Sequence, residues 1–254
     1  MSFVVVQGHR IEYQFIHPSA GNGPVTVFLH EGLGSLSMWK DFPSRVAHAT
    51  GCHALVYSRY GYGQSDPLTA PRRVDFMHDE ALKALPELLD KLGVEKPILF
   101  GHSDGGSIAL IYAGGSQRPV AGMVLMAPHV MVEDISIKSI QAAKQTYETT
   151  DLRAKLGRHH AHPDSAFRGW NDVWLHPDFR AWNIEEFVPR IACPILAIQG
   201  EDDEYGTLEQ LERIARLAPD VDLLKLTDCR HSPHRDQPET VIAAVTRFVD
   251  RIRQ

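Results

Sequence analysis

Short runs of Val, Ile and Leu alternate with amphipathic stretches along most of the chain. The runs predict strands over Phe3–Gln7, Glu12–Ile16, Val25–Leu29, Ala54–Tyr57, Ile98–Phe100, Gly122–Met126, Ile195–Gln199 and Leu223–Leu226. The first two alternate in polarity around Gly8 and read as a strand pair. From the third onward the runs are nearly all apolar and separated by helix-length segments, the pattern of a parallel sheet covered on both faces. Helical spacing of Phe76, Leu82, Leu85, Leu88, Leu89 and Leu92 predicts a helix over Asp75–Leu92, kinked by Pro86 and stopped by Gly93. Leu208–Leu217 and Val241–Ile252 are amphipathic in the same way, whereas Ser103–Ala113 is apolar on most sides, as a helix buried against a sheet must be. Residues 129–189 break the rhythm. They contain no strand pattern, three tryptophans (Trp170, Trp174, Trp182) and several histidines. This stretch reads as a helical cap inserted after the sixth strand of a core formed by residues 1–128 and 190–254.

The densest chemical signal is Pro97-Ile-Leu-Phe-Gly-His-Ser-Asp-Gly-Gly106, in which an apolar run enters G-x-S-x-G and a helix follows at once. A turn this sharp forces strained dihedrals on Ser103, and glycines on both sides remove the clashes. The hydroxyl then projects from the carboxyl end of the sheet, and the helix behind it offers N–H groups to developing negative charge.

On this motif and its placement the chain resembles the α/β-hydrolases, and within them the small carboxylesterase, enol-lactonase and meta-cleavage hydrolase group. The resemblance implies an α/β-hydrolase fold: a mostly parallel eight-stranded sheet flanked by helices, with a nucleophile elbow and triad partners in the order Ser, acid, His. Ser103 is then the nucleophile. In Gly200-Glu-Asp-Asp-Glu-Tyr-Gly206 the family's G-x-x-D motif selects Asp203, with Asp202 as runner-up. In Thr227-Asp-Cys-Arg-His-Ser-Pro-His234 it selects His231, with His234 on the same loop as competitor. His30-Glu-Gly-Leu-Gly34 resembles the family's H-G-x-x-G loop, so Gly32 is expected to donate one oxyanion N–H, with Leu33 second choice, and Asp104 the other. Glu31 departs from the motif, where Gly is usual, and puts a carboxylate near the pocket rim. Ser58-Arg-Tyr-Gly-Tyr-Gly-Gln-Ser65 resembles a further family stretch and reads as structural. Leu33, His102, Trp170 and Trp174 are the candidate pocket residues.

Such machinery hydrolyses a carboxylic ester, thioester or lactone through an acyl-enzyme. Two alternatives stay open: a meta-cleavage type C–C bond hydrolase, and a non-hydrolytic member of the fold such as a perhydrolase, lyase or ligand receptor. An anionic substrate would favour a basic cap, for which Arg153, Lys155, Arg158, Arg168 and Arg180 are candidates. Composition adds mainly exclusions. With 254 residues, 43% hydrophobic and 23% charged, the chain suits one large α/β domain. A net charge of -6 argues against a nucleic-acid partner. No apolar run approaches the roughly 20 residues of a membrane helix, and the N-terminus has no signal-peptide pattern. The expected partner is a small molecule, the expected location the cytoplasm, and the expected state a monomer or homodimer. No cofactor and no metal are expected: Cys52, Cys193 and Cys229 form no CxxC pair, and His159, His160 and His162 lack metal-ligand spacing.

Overall fold

The computed structural model describes residues 2–18 and 23–254. Eight strands form one sheet: β1 (Ser2–Val6), β2 (His9–Ile16), β3 (Val25–Leu29), β4 (His53–Tyr57), β5 (Ile98–His102), β6 (Gly122–Met126), β7 (Ile195–Gly200) and β8 (Val221–Leu226). Their order is β1-β2-β4-β3-β5-β6-β7-β8. β1 pairs antiparallel with β2, and β2 with β4; every other pairing is parallel. Gln7 and Gly8, both at positive φ (51° and 78°), make the tight β1–β2 turn.

Strand alternation divides the interior into two cores. Leu29, Leu55, Leu99 and Leu125 face the helices α2 (Phe76–Asp79), α3 (Leu85–Lys91) and α4 (Asp104–Gly115). Phe28, Val56, Phe100 and Val124 face the other way, towards α1 (Phe42–Thr50) and α10 (Pro238–Ile252). Helix α4 is the buried one, with Asp104–Tyr112 all inaccessible. The helix expected over Asp75–Leu92 is present but interrupted. A π-turn over Glu80–Ala84 joins α2 to α3, and Leu85 N–H reaches back to the Glu80 carbonyl. Pro86, without an N–H, sits at the start of α3, so the wide turn absorbs what the sequence reads as a kink.

Between β6 and β7 the chain is helical: α5 (Asp134–Thr149), α6 (Leu152–Leu156), α7 (Pro163–Trp174) and two short 3-10 turns. One isolated bridge, Met131 to Asn183, closes its base. α8 (Glu209–Leu217) follows β7, and the short α9 (Pro233–Asp236) precedes α10. All three cysteines are buried and free. Among the described residues no helix is long and apolar enough to cross a membrane.

Candidate active site

Ser103 lies between the last residue of β5 and the first of α4, at φ 53° and ψ -120°. The flanking glycines make this turn possible. A Cβ on Gly101 would collide with the Gly105 carbonyl, and one on Gly105 with the Leu29 carbonyl. Ser103 N–H donates to the Met126 carbonyl at 2.9 Å, and the Ser103 carbonyl receives the first α4 bonds from Gly106 and Ser107. The strained residue is thus held from both sides.

His231 and Asp203 meet through a side-chain pair. His231 Nδ1 lies 2.8 Å from Asp203 Oδ1 and 3.0 Å from Oδ2. Asp203 also accepts from Tyr205 N–H at 2.8 Å and from Gln199 Nε2 at 3.1 Å, which fixes the carboxylate. Burial alone would raise the Asp203 pKa, but the His231 charge and hydrogen bond and the Tyr205 N–H hold it below the usual carboxylate value. Burial likewise pulls His231 down, and the Asp203 charge and hydrogen bond outweigh it, leaving the imidazole above its ordinary pKa. The competing residues sit elsewhere. Asp202 is exposed. His234 is buried against Trp39 and Phe42, with ring centroids 5.1 and 5.4 Å away, and burial drives its pKa well below the ordinary value.

Ser103, His231, Gly32, Leu33, Trp170 and Trp174 line one cavity of about 100 Å³. No hydrogen bond joins Ser103 to His231 in this structure; catalytic hydrogen bonds are often long until substrate is bound. The N–H groups of Gly32, Leu33 and Asp104 take no hydrogen-bond partner among the described residues. A Cβ on Gly32 would run into the Trp170 indole, so this loop needs a glycine where the helical segment descends on it. Trp174 Nε1 donates to Asp104 Oδ1 at 3.1 Å, tying the same segment to the elbow.

His102 departs from the pocket expectation. On β5 it shares a face with Ile98 and Phe100, so it points away from the cavity, towards Trp39 and His234. Its Nε2 lies 2.7 Å from the His231 carbonyl, so it braces the His231 loop from behind. Four wall residues carry no motif in the sequence: His129, Ser136, Ile140 and Tyr205. Tyr205 stood in view two positions after Asp203; its ring lies 4.7 Å from His231. His129 is buried, and its pKa is pushed down to about 3 by burial and by the His231 charge. Glu31 completes the wall.

The three histidines between α6 and α7 separate. His162 is exposed and His159 meets Ser37 at 2.9 Å. His160 is buried and bridges two loops: its Nδ1 accepts from Gly63 N–H at 2.9 Å and its Nε2 donates to the Leu33 carbonyl at 3.0 Å. Among the described residues no three His, Cys, Asp or Glu side chains are arranged to hold a metal ion. A larger cavity of about 400 Å³ lies between the β1–β2 hairpin, the loop after β4, and α2. Arg72, Arg73 and Lys83 line it, each already paired with an acid (Glu80, Asp75 and Asp79).

Residues 26–244 match the model of the alpha/beta hydrolase family. The chain belongs to that family. Among curated members it is similar to the 2-hydroxy-6-oxononadienedioate/2-hydroxy-6-oxononatrienedioate hydrolase of Paraburkholderia xenovorans (strain LB400), 30% identical over 97% of this chain and 94% of that one. It is 26% identical to the putative carbamate hydrolase RutD of Caulobacter sp. (strain K31), over 93% and 95% of the two chains. Among solved hydrolase folds, the enol-lactonase from Burkholderia xenovorans LB400 superposes with a TM-score of 0.77 at 18% identity, covering 98% of this chain and 100% of that one. A thermophilic esterase from Thermogutta terrifontis gives the same TM-score at 17% identity, covering 100% and 99%.

Proposed function

We propose that this family member is a serine hydrolase that cleaves a small carboxylic ester, thioester or lactone through an acyl-enzyme on Ser103. The observation that carries the reading is the positive-φ Ser103 at the β5–α4 junction, on the same cavity wall as a His231 held by Asp203.

In this reading Ser103 Oγ attacks the carbonyl carbon and His231 Nε2 takes the hydroxyl proton. Asp203 holds Nδ1–H and stabilises the imidazolium, and the carbonyl oxygen becomes an oxyanion held by the N–H groups of Gly32 and Asp104. When the tetrahedral species collapses, the C–O or C–S bond breaks and His231 returns the proton to the leaving group. Water then attacks the acyl-enzyme with His231 again as base, releasing the acid and restoring Ser103.

The segment over residues 129–189 acts as the lid. It contributes His129, Ser136, Ile140, Trp170 and Trp174 to the cavity wall and, in this reading, none of the groups that move protons or hold the oxyanion. It shapes the pocket and keeps water away. Hydrolysis of a C–C bond is a second reading, favoured by relatives named for hydroxy-oxo-dienedioate hydrolysis. The test is p-nitrophenyl acetate turnover by the wild-type chain and by Ser103→Ala. Wild-type turnover that the substitution abolishes supports the reading, and turnover retained without Ser103 overturns it.

A further inference from the structure

The charges around the cavity are one-sided. Among the described residues, Glu31 is the only Asp or Glu in its wall, and no Lys or Arg lines it. Burial would raise the Glu31 pKa, but His102, 3.5 Å from Oε2, and Arg235, 3.5 Å from Oε1, outweigh it and keep the carboxylate ionised. Arg235 is itself 41% exposed and outside the wall, where solvent screens it. In the state that attacks substrate the other wall residues are apolar, aromatic or neutral: burial keeps His129 uncharged, and His231 must be neutral to take the serine proton. Directly behind the wall, the buried Arg59 donates to the Glu31 main-chain carbonyl, and its charge partly offsets the burial that raises the Asp104 pKa. The basic residues of the helical segment do not compensate. Arg153, Lys155, Arg158, Arg168 and Arg180 are all exposed, and Arg153, Lys155 and Arg180 are paired with Asp164, Asp151 and Asp134.

We propose that Glu31, together with Trp170, Trp174 and Tyr205, makes the Ser103 cavity select acyl groups that are uncharged or cationic and reject those that carry a carboxylate. The inference rests on the serine hydrolase reading and names its substrate class. A carboxylate in the pocket would lie within a few ångströms of Glu31 with no wall cation to pair it, in a setting where charge is poorly screened. A cationic group would meet the opposite sign in a wall that carries three aromatic side chains. Dienedioate substrates, as named for several relatives, fall in the rejected class.

The experiment compares kcat/KM for p-nitrophenyl esters of three acyl groups. These are 4-(trimethylammonio)butanoate, its uncharged isostere 5,5-dimethylhexanoate, and hydrogen glutarate. The wild-type chain is expected to prefer the cation over its isostere, and the isostere over the anion, the latter by at least about tenfold. Glu31→Gln is expected to compress both ratios towards one. These ratios are internal to each protein, so a partial loss of folded material leaves them unchanged. Ser103-dependent turnover with the anionic ester equal to or better than the neutral one overturns the inference alone, as do ratios that Glu31→Gln leaves untouched. No Ser103-dependent turnover of any of the three overturns the hydrolase reading and the inference with it.

Discussion

His160 offers a perturbation whose size follows from its two hydrogen bonds. The ring is 2% exposed, accepts at Nδ1 from Gly63 N–H, and donates at Nε2 to the Leu33 carbonyl. It is therefore neutral with its proton on Nε2, and charging it would force a second N–H against Gly63. Replacing it by Ala leaves the buried Gly63 N–H without a partner, at about 1–3 kcal/mol, and the half-buried Leu33 carbonyl, at about 1 kcal/mol. His160→Ala should thus destabilise the fold by about 2–4 kcal/mol at pH 7.5. The penalty must also depend on pH. Burial pushes the folded-state pKa down to about 4, while the unfolded ring titrates near 6.5. A histidine with a depressed folded pKa stabilises fully above 6.5 and loses that contribution as pH falls towards 4, because the unfolded chain binds the proton first. At pH 5 the wild type has lost about 2 kcal/mol of this contribution, and the variant has none to lose. Urea unfolding of both proteins at pH 7.5 and pH 5 checks this, since the other histidines titrate in both and cancel in the difference. The penalty should shrink by about 2 kcal/mol on acidification. An equal penalty at the two pH values would refute a buried neutral His160.

Asp203→Asn should lower kcat on the order of 10⁴-fold, because an amide in place of the carboxylate favours the wrong tautomer of His231. Because Asp203 is what holds the His231 pKa up against burial, the alkaline-going limb of kcat/KM should also move to lower pH in this variant. A limb that stays put would show that another group sets it. Ser103→Gly should be more stable than Ser103→Ala by about 1 kcal/mol, since only glycine adopts φ 53° without strain; equal melting temperatures would remove the strained elbow. Trp170→Ala should change the kcat/KM ratio between short and bulky esters by about 1–3 kcal/mol while leaving the rate of reaction with a small phosphonate unchanged. Parallel losses on every substrate and on the probe would place Trp170 in support of the elbow instead.

The sheet was legible because its central strands are short apolar runs buried on both faces, a pattern that helix surfaces do not produce. The strands β3 to β7 follow from it, the β1–β2 pair follows from alternation around Gly8, and β8 follows from the apolar run Leu223–Leu226 although most of its residues are not buried; the ends differ by a few residues. The π-turn at Glu80–Ala84 was not legible: Pro86 announces a disturbance, but which hydrogen bonds absorb it depends on packing against α4. For the site, the glycine pattern around Ser103 carries its own geometric reason. His102, named among the candidate pocket residues, lies on the opposite face of the sheet because strand alternation sends it there. The partners of His160 lie 97 and 127 positions away in the chain, so no local pattern marks it. The cavity residues Ser136 and Ile140 likewise face Ser103 only because α5 folds over the elbow.

The central claim is that Ser103 is a nucleophile activated by His231. Its most direct measurement is mass spectrometry of the intact chain after exposure to a small fluorophosphonate, followed by peptide mapping. The account predicts one adduct per chain, on Ser103, formed faster as pH rises through the His231 titration and absent in Ser103→Ala. An unmodified chain, or an adduct on any residue other than Ser103, would contradict it.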